Sequence, residues 1–110
     1  MIQVLVTRNP QSDIIDFEVS GHAESGPYGH DLVCAAVSAV TFGAVNAVME
    51  LCSCEPIIEQ GGEGGYLRVE LPDSLSNTSF QKASVLLEGM IIALKTIERD
   101  YGEYITISES

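Results

Sequence analysis

Between Leu32 and Cys54 the chain runs through Ala, Val, Ser and Thr with no proline and one glycine, Gly43. Helical periodicity is weak there because small and apolar residues fall on nearly every face. Length therefore decides: a run of roughly twenty residues is too long for a strand and reads as a helix. Such a helix is expected to be buried on most sides, its small residues admitting a sheet, another helix or a second subunit at close range. Glu55-Pro56 ends it, since the residue before proline is pushed out of the helical region.

The segments around this helix are shorter and better patterned. IQVLVT (2–7) and IIDFEVS (14–20) are β-rich runs joined by RNPQSD, whose Asn-Pro and Ser-Asp mark a turn. In the second run Ile15, Phe17 and Val19 alternate with Asp16, Glu18 and Ser20, the pattern of a strand with one buried and one wet face. PIIEQ, GGEGG and YLRVEL read as a second hairpin around a glycine turn. That turn is no phosphate cradle: no Lys-Ser/Thr follows and no helix opens behind it. After Pro72, Ser76 or Asn77 can cap a second helix. Phe80, Ala83, Leu87, Met90, Ile91, Leu94 and Ile97 recur at helical spacing along it, and Gly102 follows its last turn. EYITIS (103–108) alternates as a closing strand. The order ββαββαβ implies a two-layer α+β domain, a mainly antiparallel sheet with both helices on one face.

At 110 residues the chain is long enough for one domain, and 45 % apolar residues suffice for a core. No apolar run is read as reaching the roughly 18–20 residues that cross a bilayer. MIQVLVTR lacks the basic start and cleavage site of a signal peptide, so the expected location is the cytoplasm, with no membrane partner. Sixteen acidic against five basic residues give a formal charge of −11, which repels phosphate backbones and argues against nucleic acid. The same charge keeps the chain soluble and draws in a basic partner.

Three cysteines argue against a disulfide framework. Cys34 and Cys52 stand about 27 Å apart on one helix, beyond any bridge. In CSC (52–54) the thiols point about 200° apart on a helix, a poor metal clamp, so Cys52 and Cys54 read as packing residues.

The chemistry concentrates in SGHAESGPYGHDLVCAAVS, residues 20–38, which holds both histidines and Cys34. Asp31 is a good cap residue, and as such it makes Leu32, Val33 and Cys34 the first helical positions. There the backbone N–H groups and the dipole favour an anion, and the Cys34 amide becomes a candidate oxyanion donor. An ordinary thiol is only about 3 % ionised at neutral pH. The dipole lowers its pKa by about one unit, so a nucleophile needs an imidazole as well. His22 closes a strand and His30 lies beside the cap. The rigid support favours His22, although strict alternation places it on the wet face. Asp31 has a second job on offer, as a histidine partner. Ser38, one turn beyond Cys34, shares its face and either serves the site or bonds back to the helix. Gly21, Gly26, Pro27 and Gly29 give a loop able to fold over a substrate, or merely a surface loop. His22, His30, Asp31 and Cys34 match no tight metal clamp, and neither a metal nor another cofactor is expected. A G-x-S-x-G elbow is absent.

These residues resemble a known family. GHA at the end of the second strand, followed by SGPYGHDLVCAAVSAV, is similar to the ribosomal-processing cysteine proteases (Prp, YsxB-like), and the likeness covers essentially the whole chain. The resemblance implies a homodimeric cytosolic endopeptidase. Its implied substrate is the twenty-seventh protein of the large ribosomal subunit, trimmed of a short N-terminal extension. The family motif falls with its catalytic histidine on His22 and its nucleophile on Cys34. Asp31 and Ser38 match recurring positions, whereas His30 inherits no role. An apolar, aromatic pair before the cut implies an apolar groove near the loop. Two other classes stay open on the residues alone. One is a noncatalytic acidic dimer that binds a basic ribosomal protein and carries a redox-sensitive thiol. The other is a thiol-dependent acyl transferase with a closed small-molecule pocket.

Overall fold

A computed structural model describes residues 1–21, 27–61 and 65–110, with residues 27–31 described by their backbone alone. Among the described residues seven elements follow in the expected order: β1 (Ile2–Arg8), β2 (Ile14–Ser20), α1 (Pro27–Cys52), β3 (Ile57–Gln60), β4 (Tyr66–Glu70), α2 (Asn77–Tyr101) and β5 (Ile105–Glu109). The strands form one sheet in the order β3-β4-β2-β1-β5. Every neighbouring pair is antiparallel except β1 and β5, which run parallel.

This order explains the layers. β2 and β3 both run antiparallel to β4, so they are parallel to each other and α1 must carry the chain back between them. β4 and β5 are likewise parallel, with β2 and β1 between them, and α2 makes that return. Parallel strands need such crossovers, and each lays a helix on the sheet. The two helices pack on each other over a single core. Alternating Ile2, Val4 and Val6 of β1 supply the sheet side together with Phe17, Val69 and Ile105, all at most 3 % exposed.

α1 meets that core along Val33, Val37, Thr41, Val45, Val48 and Cys52, a stripe stepping by three or four residues. Thr41 is admitted because its hydroxyl donates to the Val37 carbonyl at 2.8 Å. The helix is therefore buried on one stripe rather than on most sides; Leu32, Phe42 and Leu51 are exposed. Its Leu32–Cys52 portion, 21 residues of mean hydropathy 2.0, is long and apolar enough by length and composition to cross a membrane. This corrects the reading that no run reaches that length; Ala and Gly among the valines hide how long the stretch is, Glu50 being its one charged residue.

α2 follows its pattern closely. Ser76 is the cap, its side chain accepting from the Ser79 amide at 3.1 Å. Ala83, Leu87, Met90, Ile91 and Leu94 are buried, with Ser84 between them. β2 departs from strict alternation. Its register against β1 slips by one residue, Thr7 pairing with Asp16 but Arg8 with Ile14. The extra residue, Ile15, is a bulge, and Ile14 in its place is fully buried. Asp16 faces away from the core as expected, yet it is only 8 % exposed. Arg68 covers it, donating from Nε at 3.0 Å and from Nη2 at 2.6 Å to one carboxylate oxygen.

Candidate active site

α1 begins at Pro27, four residues before the expected cap. Proline suits a first helical position, its φ preset and its missing N–H one that would have had no helical partner. Pro27 and Gly29 are thus helical rather than loop residues, and Asp31 is the fifth helical residue instead of the cap. Cys34 accordingly lies in the third turn, where its amide belongs to the i→i−4 ladder and the dipole's pull has faded. The amide-donor and dipole arguments for Cys34 do not hold in this geometry. His22 and Gly26 lie outside the described residues, as do the side chains of His30 and Asp31.

Cys34 keeps a distinctive place all the same. It is half-buried and lines a cleft of about 420 Å³ between α1 and the ends of the central strands. Cys34, Ser38 and Phe42, spaced by four residues, form the helix wall of this cleft. Thr41 and Val37 close its depth, and Ile2, Val19 and Leu67 form an apolar floor from the sheet. Gln60, Gly61, Gly65 and Tyr66, which flank the β3–β4 turn, complete the rim. Phe42, Thr41 and Tyr66 were not foreseen as site residues. The signal for Phe42 was its spacing from Cys34 and Ser38; nothing local marks Tyr66, which the sheet order brings in.

Gly21 stands on the same rim, and its backbone explains its identity. Its φ is +88°, and a Cβ there would overlap the Met1 carbonyl oxygen. Its amide donates to the Gly65 carbonyl at 2.8 Å, tying the end of β2 to the β3–β4 turn. Gly65 also has a positive φ, 74°. The residue immediately before His22 is thus pinned by two close backbone approaches. Gly21 was expected only as part of a substrate loop; its position is structural as well.

The other cysteines stand apart from the cleft. Cys52 is buried in the core at the far end of α1, and Cys54 is half-buried beyond it. Burial pushes the Cys54 thiol above its ordinary value, with Cys52 adding to the effect, so it stays protonated. An apolar cleft with one half-buried thiol and an exposed aromatic wall at Phe42 suits a peptide beside a sulfur nucleophile.

Comparison with known proteins decides the family. The model of the family described as Cysteine protease Prp matches residues 1–106. The chain belongs to the cysteine protease Prp family. Among its relatives, the Ribosomal processing cysteine protease Prp of Bacillus subtilis (strain 168) is 48 % identical over 108 residues, 98 % of this chain and 96 % of that protein. The protein of the same name from Staphylococcus aureus (strain Mu50 / ATCC 700699) is 40 % identical over 108 residues, 98 % of each chain. A crystal structure of the S. aureus protease, in complex with a covalently linked product peptide, superposes with a TM-score of 0.87 at 39 % identity over the whole of both chains. The two-layer fold is that of these proteases, and the chain is a cysteine protease by family.

Proposed function

We propose that this protein is an endopeptidase that removes the N-terminal extension of the twenty-seventh protein of the large ribosomal subunit, with Cys34 as nucleophile and His22 as general base and acid. The observation that carries this reading is the placement of Cys34 on the wall of an apolar cleft whose rim includes Gly21, the residue before His22. The relatives' names support the ribosomal substrate class, and the product peptide covalently linked in the S. aureus structure supports a peptide substrate.

The chemistry balances on these two side chains. His22 takes the Cys34 proton, and the thiolate adds to the scissile carbonyl. Collapse of the tetrahedral species breaks the C–N bond. The leaving amine takes the proton from His22, and a thioester to Cys34 remains. Water, deprotonated by His22, then hydrolyses the thioester and restores the thiol. Ser38, on the same wall, and Asp31 are supporting residues in this scheme, and Gly26 and Gly29 belong to the segment bordering the substrate. The aromatic wall at Phe42 and the apolar floor fit an apolar, aromatic pair ahead of the cut.

The protein works in the cytoplasm as a homodimer in this reading, on a basic protein rather than on nucleic acid. The outward face of α1, where Leu32 and Phe42 are exposed around small residues, supports pairing of two copies. A charge of −11 supports a basic protein partner. Incubation with the extended ribosomal protein, followed by mass spectrometry of the product, should locate one cut. Cys34→Ala should abolish it, and cleavage persisting in that variant would reject the assignment.

A further inference from the structure

The face of the sheet turned away from the helices carries a second, larger hollow of about 790 Å³, which reaches round at one end to Asn77 and Phe80 at the start of α2. Its floor is the outward row of the central strands: Leu5 and Thr7 of β1, Glu18 of β2, Arg68 and Glu70 of β4. The segment after β4, with Pro72, Asp73 and Leu75, raises one wall. Four carboxylates line it, Asp16, Glu18, Glu70 and Asp73, against the single guanidinium of Arg68. That guanidinium is committed to Asp16 at 2.6 Å. Among the described residues no other cation lines the groove, so Glu18, which Tyr66 hydrogen-bonds, Glu70, which feels Arg68 only at a distance, and Asp73 leave it net negative beside the exposed Leu5.

Two features say what the groove takes. The first is continuity: Tyr66, at the start of β4, lines both this groove and the Cys34 cleft. A chain held in the cleft and leaving over Gly65 and Tyr66 passes directly onto the outer face. The second is charge, which suits lysine- and arginine-rich chain and repels acidic or phosphorylated chain. From Tyr66 to Glu70 the strand spans about 13 Å, room for a few residues of extended peptide.

We infer that the outer face of the sheet is a docking groove for a lysine- and arginine-rich segment of the substrate protein, separate from the cleft that holds the scissile bond. This inference rests on the ribosomal substrate proposed above and assigns the groove to the part of that protein away from the cut. Each carboxylate that meets a substrate cation adds a modest, salt-sensitive increment, so the groove acts through several charges together.

The test compares two substrates of the same cleavage sequence, the complete extended ribosomal protein and a short uncharged peptide spanning the cut. With Glu18→Gln, Glu70→Gln and Asp73→Asn combined, kcat/KM for the complete protein should fall about tenfold. The fall should lie mainly in KM, and the salt dependence of cleavage should flatten. The peptide should be cut within about twofold of the unsubstituted rate, since chemistry in the cleft is untouched. In the unsubstituted protein, decalysine should inhibit cleavage of the complete protein while sparing the peptide, a result that needs no variant. Equal losses on both substrates, no loss on either, or decalysine acting on both alike or on neither would overturn the groove. If the unsubstituted protein cuts neither substrate, the ribosomal reading itself fails and takes the groove's occupant with it.

Discussion

Replacing Gly21 by alanine should destabilise the fold and disable the site together. The residue sits at a φ of +88°, where an L side chain costs about 1–2 kcal/mol. The added Cβ would overlap the Met1 carbonyl oxygen, so either the start of β1 or the end of β2 must shift. Overpacking of this kind costs about 1–3 kcal/mol more. The expected loss is thus about 2–5 kcal/mol, or a fall in Tm of roughly 8–20 °C for a domain of this size. Any shift also strains the 2.8 Å bond from the Gly21 amide to the Gly65 carbonyl, and with it the rim beside His22. Peptide cleavage at a temperature where the variant is still folded should therefore fall more than the folded fraction does. Gly89→Ala is the control. Gly89 lies within α2 with nothing near the position of a new Cβ, so alanine there should stabilise by about 0.5–1 kcal/mol. Denaturant titrations of both variants, with peptide kinetics, provide the assay. A Gly21→Ala protein as stable and as active as the parent would refute the reasoning.

Arg68→Met should lower the midpoint of a denaturant titration, because Asp16 loses its two hydrogen bonds; adding Asp16→Asn should recover part of that loss. Phe42→Ala should raise KM for a peptide about fivefold with kcat little changed, since it removes one wall of the cleft and no reacting group. A fall in kcat at constant KM would contradict that placement. Glu109 is held below its ordinary value of 4.5, first by its hydrogen bond from Arg8 and further by Lys95. Its folded pKa being the lower, its stabilising contribution is present above 4.5 and is lost as the pH drops through the folded value. Arg8→Ala should accordingly flatten the acid limb of a Tm-against-pH curve, and an unchanged limb would refute the role.

The sequence was most legible where one period ran undisturbed. Ser76 and the row from Ala83 to Leu94 defined α2 because cap and stripe agree, and turn residues marked both hairpins. β2 was misread by one residue at Ile14 and Ile15, since a bulge moves the buried set without altering composition. The start of α1 was missed because Gly-Pro was taken as loop punctuation, whereas proline opens the helix. That error carried with it the capping role given to Asp31 and the donor role given to the Cys34 amide. The parallel pairing of β1 with β5 links residues about a hundred positions apart, beyond any local signal. Cys34 and Ser38 were recognisable as one helix face. That Gly21 and Tyr66 border the same cleft follows only from the order in which the strands are laid.

The central claim is that the sulfur of Cys34, alone among three thiols, attacks the substrate. A peptide ending in a chloromethyl ketone and carrying the residues before the cut measures this directly, with the adduct located by peptide mapping. The account predicts one equivalent of adduct on Cys34, none on Cys52 or Cys54, and activity lost in step with labelling. An adduct on Cys54, or full activity retained by protein labelled at Cys34, would contradict it.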